Sequence, residues 1–160
     1  MRTKATSGLD GVSLDAWRGY LLSHAAITRE LDADLVARHG LTSRDYEVLL
    51  FLANEPERRL AMSELSNRTM LTRSGVTRLV DGLTRAGLIE RKSCDADARI
   101  SYAELTEAGY QRLREAGRTH IEGIRNAFLS HFNEDEVATL AELLGRLPGA
   151  GEGPACTVEE

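Results

Sequence analysis

Within six residues the chain sets out Arg73, Ser74, Thr77 and Arg78, with Thr72 just before them and Gly75 in their midst. Arginine can grip a guanine edge or a phosphate through two parallel hydrogen bonds, and hydroxyls reach bases or phosphate oxygens. Val76, Leu79, Val80 and Leu83 recur at the spacing of one buried helical face, which predicts a helix from about Arg73 to Ala86. At about 100° per residue, Ser74, Arg78, Asp81 and Arg85 fall on the opposite face, flanked by Arg73 and Thr77. Thr72 is placed to cap the helix, whose free N–H groups favour a phosphate. Gly75 weakens the helix but lets a backbone come close. Taken alone, this face is equally that of a surface helix that carries arginines.

The flanking segments favour nucleic acid. Residues Met62 to Arg68 form a short amphipathic helix with Met62 and Leu65 inward, and Thr69-Met70-Leu71 is a tight connection to Thr72. Two helices joined by so short a turn make a helix-turn-helix, whose second helix enters the major groove of DNA. Past Gly87, a helix C-cap, Leu88–Ser93 and Ile100–Leu105 read as two strands around a polar tip. This hairpin carries Arg91, Lys92 and Arg99 beside the predicted recognition helix, the position of a wing.

The stretches "MSELSNRTMLTRSGVTRLVDGLTRAGLIER", "DADARISYAELT" and "EAGY" together resemble the MarR family of winged-helix regulators, and the resemblance runs from about Leu14 to Leu147. Asp97 and Arg99 match the family's Asp-x-Arg pair in the wing, while Ala98 stands where many members carry a second arginine. The resemblance implies a two-fold homodimer on a palindromic double-stranded operator. It also implies release by a small anionic or phenolic ligand held between the dimer helices and the DNA lobe. One branch, responsive to urate, has a first-helix Trp, a second-helix acid and arginines near the DNA lobe. Trp17, Glu47, Arg78 and Arg91 stand at comparable places, but that branch has Asp where this chain has Glu47. For urate itself the favoured reading is the plainer one, with Trp17 and Tyr46 as core, Glu47 as a surface acid and both arginines on DNA. For some other organic ligand, an aromatic-lined pocket is expected near Trp17, His24 and Tyr46. The DNA contacts expected are Thr72, Arg73, Ser74, Gly75, Thr77, Arg78, Arg91, Lys92, Asp97 and Arg99.

The predicted fold is mainly α with a small β-hairpin wing, a winged helix-turn-helix between long N- and C-terminal dimerisation helices. Ser13 is placed to cap a helix from Leu14 to about Arg38, with a heptad-like stripe of Leu14, Trp17, Leu21, His24, Thr28, Leu31 and Leu35. Thr42 or Ser43 opens a second helix, with Tyr46, Leu49, Leu50 and Ala53 inward, and Arg59-Leu60-Ala61 can pair with the wing. Thr106 caps a long helix to about Phe132, striped by Leu113, Gly117, Ile121, Ile124 and Phe128. Asn133 with Glu136 opens a last helix, lined by Val137, Leu140, Leu144 and Leu147. Residues 1–40 and 107–147 are thus a helical dimerisation region, 41–106 the DNA-binding lobe and 148–160 a flexible tail. The terminal helices have apolar stripes with nothing of their own to cover them, a mark of association surfaces.

Composition agrees with a globular protein of one domain. The net charge of −5 is unevenly spread: Arg58 to Arg99 holds nine basic and five acidic residues, against 11 and 20 in the remainder. A basic module on an acidic body is the pattern of a local DNA face. No apolar run reaches membrane-spanning length and "MRTKATSGLDG" lacks an apolar signal core, so a cytoplasmic protein is expected. An enzyme is disfavoured: His24 and His39 lie about 22 Å apart by helical rise, and no nucleophile elbow, zinc motif or phosphate-binding Gly loop is present. No cofactor is expected. A winged helix that binds protein in place of DNA is the alternative, separated from the first reading by salt-dependent duplex binding.

Cys94, in the hairpin turn, raises a second alternative, a regulator that responds to oxidant. Arg91, Lys92 and Arg99 favour its thiolate, whereas Asp95 and Asp97 oppose it. The favoured reading is a plain reduced thiol. Peroxide should therefore leave operator affinity within about twofold of the untreated value. A large loss that a thiol reductant reverses, and that Cys94→Ser abolishes, would make Cys94 the sensor.

Overall fold

The computed structural model describes residues 8, 10–69, 71–93 and 99–150. Cys94 and Asp97, both singled out above, lie outside the described residues. The chain runs α1 (Gly11–His39), α2 (Ser43–Ala53), β1 (Arg59–Ala61), α3 (Met62–Thr69), α4 (Arg73–Arg85), β2 (Ile89–Ser93), β3 (Ser101–Leu105) and α5 (Glu107–Ala127). A 3-10 turn at Leu129–His131 leads into α6 (Glu134–Leu144). This is the mainly helical winged architecture expected. β3 is the central strand of a three-stranded antiparallel sheet, with Leu60 opposite Ala103 and Ile89 opposite Leu105.

Local signals set most boundaries. Thr42 caps α2 in a reciprocal capping box with Asp45, and Asn133 does the same for α6 with Glu136. Gly40 ends α1 at φ 66°, a left-handed conformation that glycine adopts without a Cβ penalty. At the start of α1 the cap is Asp10, one turn before the expected Leu14 start: its carboxylate accepts from Ser13 N at 2.7 Å. Ser13 is therefore inside the helix, and the charged acceptor favours the longer helix.

The core is centred on α2. Tyr46, Val48, Leu49, Leu50, Phe51 and Leu52 are all buried, more than the single stripe expected. The reason is that α1, α3, α5 and the sheet surround α2, and a helix covered on all sides is apolar all round. Leu35, Leu65, Val76, Val80, Ile89 and Leu113 complete the core from the neighbouring elements.

The course of α5 departs from the hydropathy pattern. It ends at Ala127 instead of near Phe132, and its buried positions are Gly109, Leu113, Ala116, Thr119 and Gly123. Gly117, Ile121, Ile124 and Phe128 of the expected stripe are only half-buried. Small residues let α5 lie close to its neighbours, and they leave little hydropathy signal. A Cβ built on Gly123 would stand 2.5 Å from Leu31 Cδ2, and one on Gly109 would overlap the Leu88 carbonyl oxygen. The α1–α5 contact is completed by Arg38 with Glu122 at 3.0 Å and His39 Nε2 with Thr119 Oγ1 at 2.7 Å. Arg112 donates to the His39 carbonyl at 2.8 Å. Burial, then the neighbouring Arg38 and Arg112, hold the His39 pKa below its usual value, against a smaller opposing effect of Glu115. Burial alone does so for His120, which packs on the Tyr46 ring at 5.0 Å.

Gly109→Ala should lower unfolding free energy by about 3 kcal/mol or more, because the atom it meets is a backbone oxygen that cannot rotate away. Gly82→Ala, where nothing stands within 4 Å of the new Cβ, should be neutral or stabilising by about 0.5–1 kcal/mol. Urea denaturation of the two variants checks this. Equal midpoints would contradict the close approach at Gly109.

Candidate nucleic-acid interface

The α3–α4 pair is set by buried side chains on one side and short polar bonds at the turn. Leu65 and Thr69 of α3 pack inward with Val76, Val80 and Leu83 of α4. Thr69 donates to Leu65 O at 2.8 Å, and Ser66 donates to Leu71 O at 2.8 Å across the turn. Thr72 caps α4 by accepting from Gly75 N at 3.1 Å. A Cβ on Gly75 would meet that Thr72 oxygen at 3.2 Å, so glycine here also serves the cap.

This packing turns the opposite face of α4 to solvent. Arg73, Ser74, Thr77, Arg78, Asp81 and Arg85 are exposed. Among the described residues, Arg73, Arg78 and Arg85 enter no ion pair, so their charge is available to an anionic partner. Arg73 and Thr77 line a notch of about 300 Å³ with Ser63 of α3, Arg99, Ile100 and Ser101. Two guanidinium groups and three hydroxyls around one concavity can hold a phosphate. Ser63 and Ser101 were not among the residues expected at the interface; they arrive there because β1 and β3 pair and bring the start of α3 beside the wing.

The two cations of β2 diverge. Strand alternation puts Arg91 on the same sheet face as buried Ile89, towards α4, and Lys92 on the other. Arg91 Nη2 lies 2.9 Å from Asp81 Oδ1 and donates to Thr77 O at 3.3 Å. Lys92 bonds Glu104 at 2.6 Å, and this hydrogen bond raises its pKa. Of the predicted DNA contacts, the structure thus brings Thr72, Arg73, Ser74, Gly75, Thr77, Arg78 and Arg99 to one surface. Arg91 lies beside it, occupied, and Lys92 sits on the far side of the sheet.

The residues expected around a ligand do not meet in one pocket. Tyr46 is 4% exposed in the core against His120. Trp17, expected as core for its part, is 53% exposed. It heads a row of rings on α1, with Tyr20 at 6.0 Å and then His24 at 6.1 Å from Tyr20. His24 and Tyr20 line an apolar groove of about 830 Å³ with Phe128, Phe132, Leu140 and Leu143. Glu47 pairs with Arg44 at 2.9 Å on α2. Only Leu31 and Leu35 of the 29-residue α1 are buried, and α6 buries none of its residues. Among the described residues no helix is long and apolar enough to cross a membrane.

Comparison with known proteins agrees with this geometry. The sequence profile of the MarR family matches residues 39–100. The HTH-type transcriptional repressor YetL of Bacillus subtilis is 31% identical over 69% of this chain and 66% of its own length. The HTH-type transcriptional regulator PecS of Dickeya dadantii is 30% identical over 76% of this chain and 72% of its own. AbsC, a MarR family transcriptional regulator from Streptomyces coelicolor, superposes with a TM-score of 0.76 at 30% identity, covering 85% of this chain and 91% of that one. Sco3205 from the same organism, solved in complex with DNA, gives 0.76 at 29% identity over 91% and 97% of the two chains.

Arg78→Ala should lower the ratio of specific to non-specific binding, by about 1–3 kcal/mol per half-site, if its guanidinium reads a base. Titration against a selected duplex and a scrambled one measures the ratio. An unchanged ratio would remove Arg78 from base readout.

Proposed function

The chain belongs to the MarR family of transcriptional regulators, and from that premise we propose that it is a dimeric repressor released from a palindromic operator by a small organic ligand. The observation that carries the DNA-binding part is the exposed face of α4. Arg73, Arg78 and Arg85, which enter no ion pair among the described residues, stand beside a hydroxyl-rich notch. α4 enters the major groove with Arg78 and Ser74 towards base edges. Arg73, Thr72 and the α4 N-terminus hold the backbone, and Arg99 holds it from the wing.

The uncovered helices support the dimer. Val12, Trp17, Leu22, Leu143 and Leu147 remain exposed, and nothing among the described residues covers them. A second copy related by a two-fold axis covers α1 and α6 and repeats α4 about one DNA turn away, roughly 34–36 Å. The groove beside Tyr20 and His24 has the apolar walls that suit an aromatic effector once the second copy closes it. Of the three ligand residues expected, His24 lines this groove, Trp17 heads the ring row leading to it and Tyr46 does not reach it.

Duplexes selected from a random pool should carry inverted repeats. Binding to them should weaken linearly in log K against log salt, with a slope of several units from the arginines of two half-sites. Absence of duplex binding at low salt would reject the DNA-binding reading in favour of a protein partner.

A further inference from the structure

We propose that Arg91 is a positioning residue: it braces the wing against the recognition helix by sitting on Thr77 and Asp81, and acts on operator binding through that brace without touching DNA. The inference rests on the DNA-binding reading above and assigns a role within it.

Three observations converge. The side chain of Arg91 leaves β2 on the Ile89 face, the face packed on α4. One nitrogen, Nη2, then meets two acceptors a single helical turn apart, Asp81 Oδ1 at 2.9 Å and Thr77 O at 3.3 Å. The contact also falls at a mechanically telling level of the sheet. β1 pairs with β3 only from Arg59↔Glu104 to Ala61↔Tyr102, whereas β2 and β3 continue to Ser93↔Ser101. Arg91, opposite Ala103, stands one level before the last three-stranded level at Tyr102. Past Tyr102 the described strands continue only as the Ser93↔Ser101 pair, and two strands by themselves are weakly held. The brace is therefore well placed to set the angle at which Arg99 meets the notch shared with Arg73 and Thr77.

Asp81 acquires a purpose by the same argument. A carboxylate on the reading face of a DNA-binding helix repels phosphate, and simple electrostatics favours its removal. Paired with Arg91, its charge is offset and its oxygen is the seat of the wing. The pair also withdraws Arg91 from the cations that can release counterions from DNA. Both side chains are partly exposed, 35% for Arg91 and 49% for Asp81, so neither is needed to fill the core.

The test compares the full-length parent, Arg91→Ala, Asp81→Ala and the double variant on the selected duplex across a salt series. The expected result is that each single variant binds about fivefold more weakly per half-site, the scale of a surface pair. The double variant should be no weaker than the worse single one, and all four should share one salt slope. Tighter or unchanged binding by Asp81→Ala would overturn the brace, as would losses that multiply in the double variant. A slope reduced by about 0.9 per arginine removed would overturn it too, placing Arg91 on a phosphate. A parent that binds no duplex would reject the DNA-binding reading itself, an outcome distinct from any of these.

Discussion

One carbonyl oxygen, that of Leu88, joins the DNA-binding lobe to the long helix behind it. Thr106 N donates to it at 3.1 Å, and α5 passes so close that residue 109 has no room for a Cβ. The Thr106 hydroxyl donates to Gly87 O at 2.8 Å and accepts from Gly109 N at 2.9 Å. Gly87 itself has φ 73°, the left-handed turn that ends α4 and starts the hairpin. One cluster of short bonds thus closes the base of the wing, caps α5 and fixes where α4 stops. The placement of α4 against the long helices depends on this joint, because α5 packs on α1 and α2 and continues towards α6.

The electrostatic organisation follows a similar economy. The protein is acidic as a whole, with a net charge of −5, yet the exposed face of α4 carries arginines without acidic partners among the described residues. The cations of β2 are committed elsewhere, Arg91 to Asp81 and Lys92 to Glu104. Those of the preceding loop and helix are committed as well: Arg58 meets Glu107 at 3.2 Å, and Arg68 meets Glu55 at 2.6 Å and Glu64 at 3.0 Å. Positive charge is thereby concentrated on the outward face of α4. Exposed pairs of this kind contribute little stability; here their larger effect is on where a polyanion is attracted.

What could be read from the residues alone was local. The start of α4 followed from Thr72, its buried face from Val76, Val80 and Leu83, and its end from Gly87, because caps and periodicity act within a few residues. The capping box of Asn133 with Glu136 located α6 for the same reason. The face and end of α5 escaped, since Gly109 and Gly123 are chosen for closeness to Leu88 and Leu31, not for hydropathy. The fates of Arg91 and Lys92 also depended on tertiary partners, although strand alternation from Ile89 already separates them to opposite faces. Trp17, His24 and Tyr46 looked like one aromatic cluster, but Tyr46 turns into the core while the α1 rings face outward.

The central claim is that the α4 face meets DNA twice, through two copies joined at α1 and α6. Hydroxyl-radical footprinting of the complex on a selected duplex measures this directly. The account predicts two equivalent protected patches per strand, related by a two-fold axis, with half-site centres about one helical turn apart. A single protected patch, or two at a spacing that grows or shrinks with the duplex chosen, would contradict it.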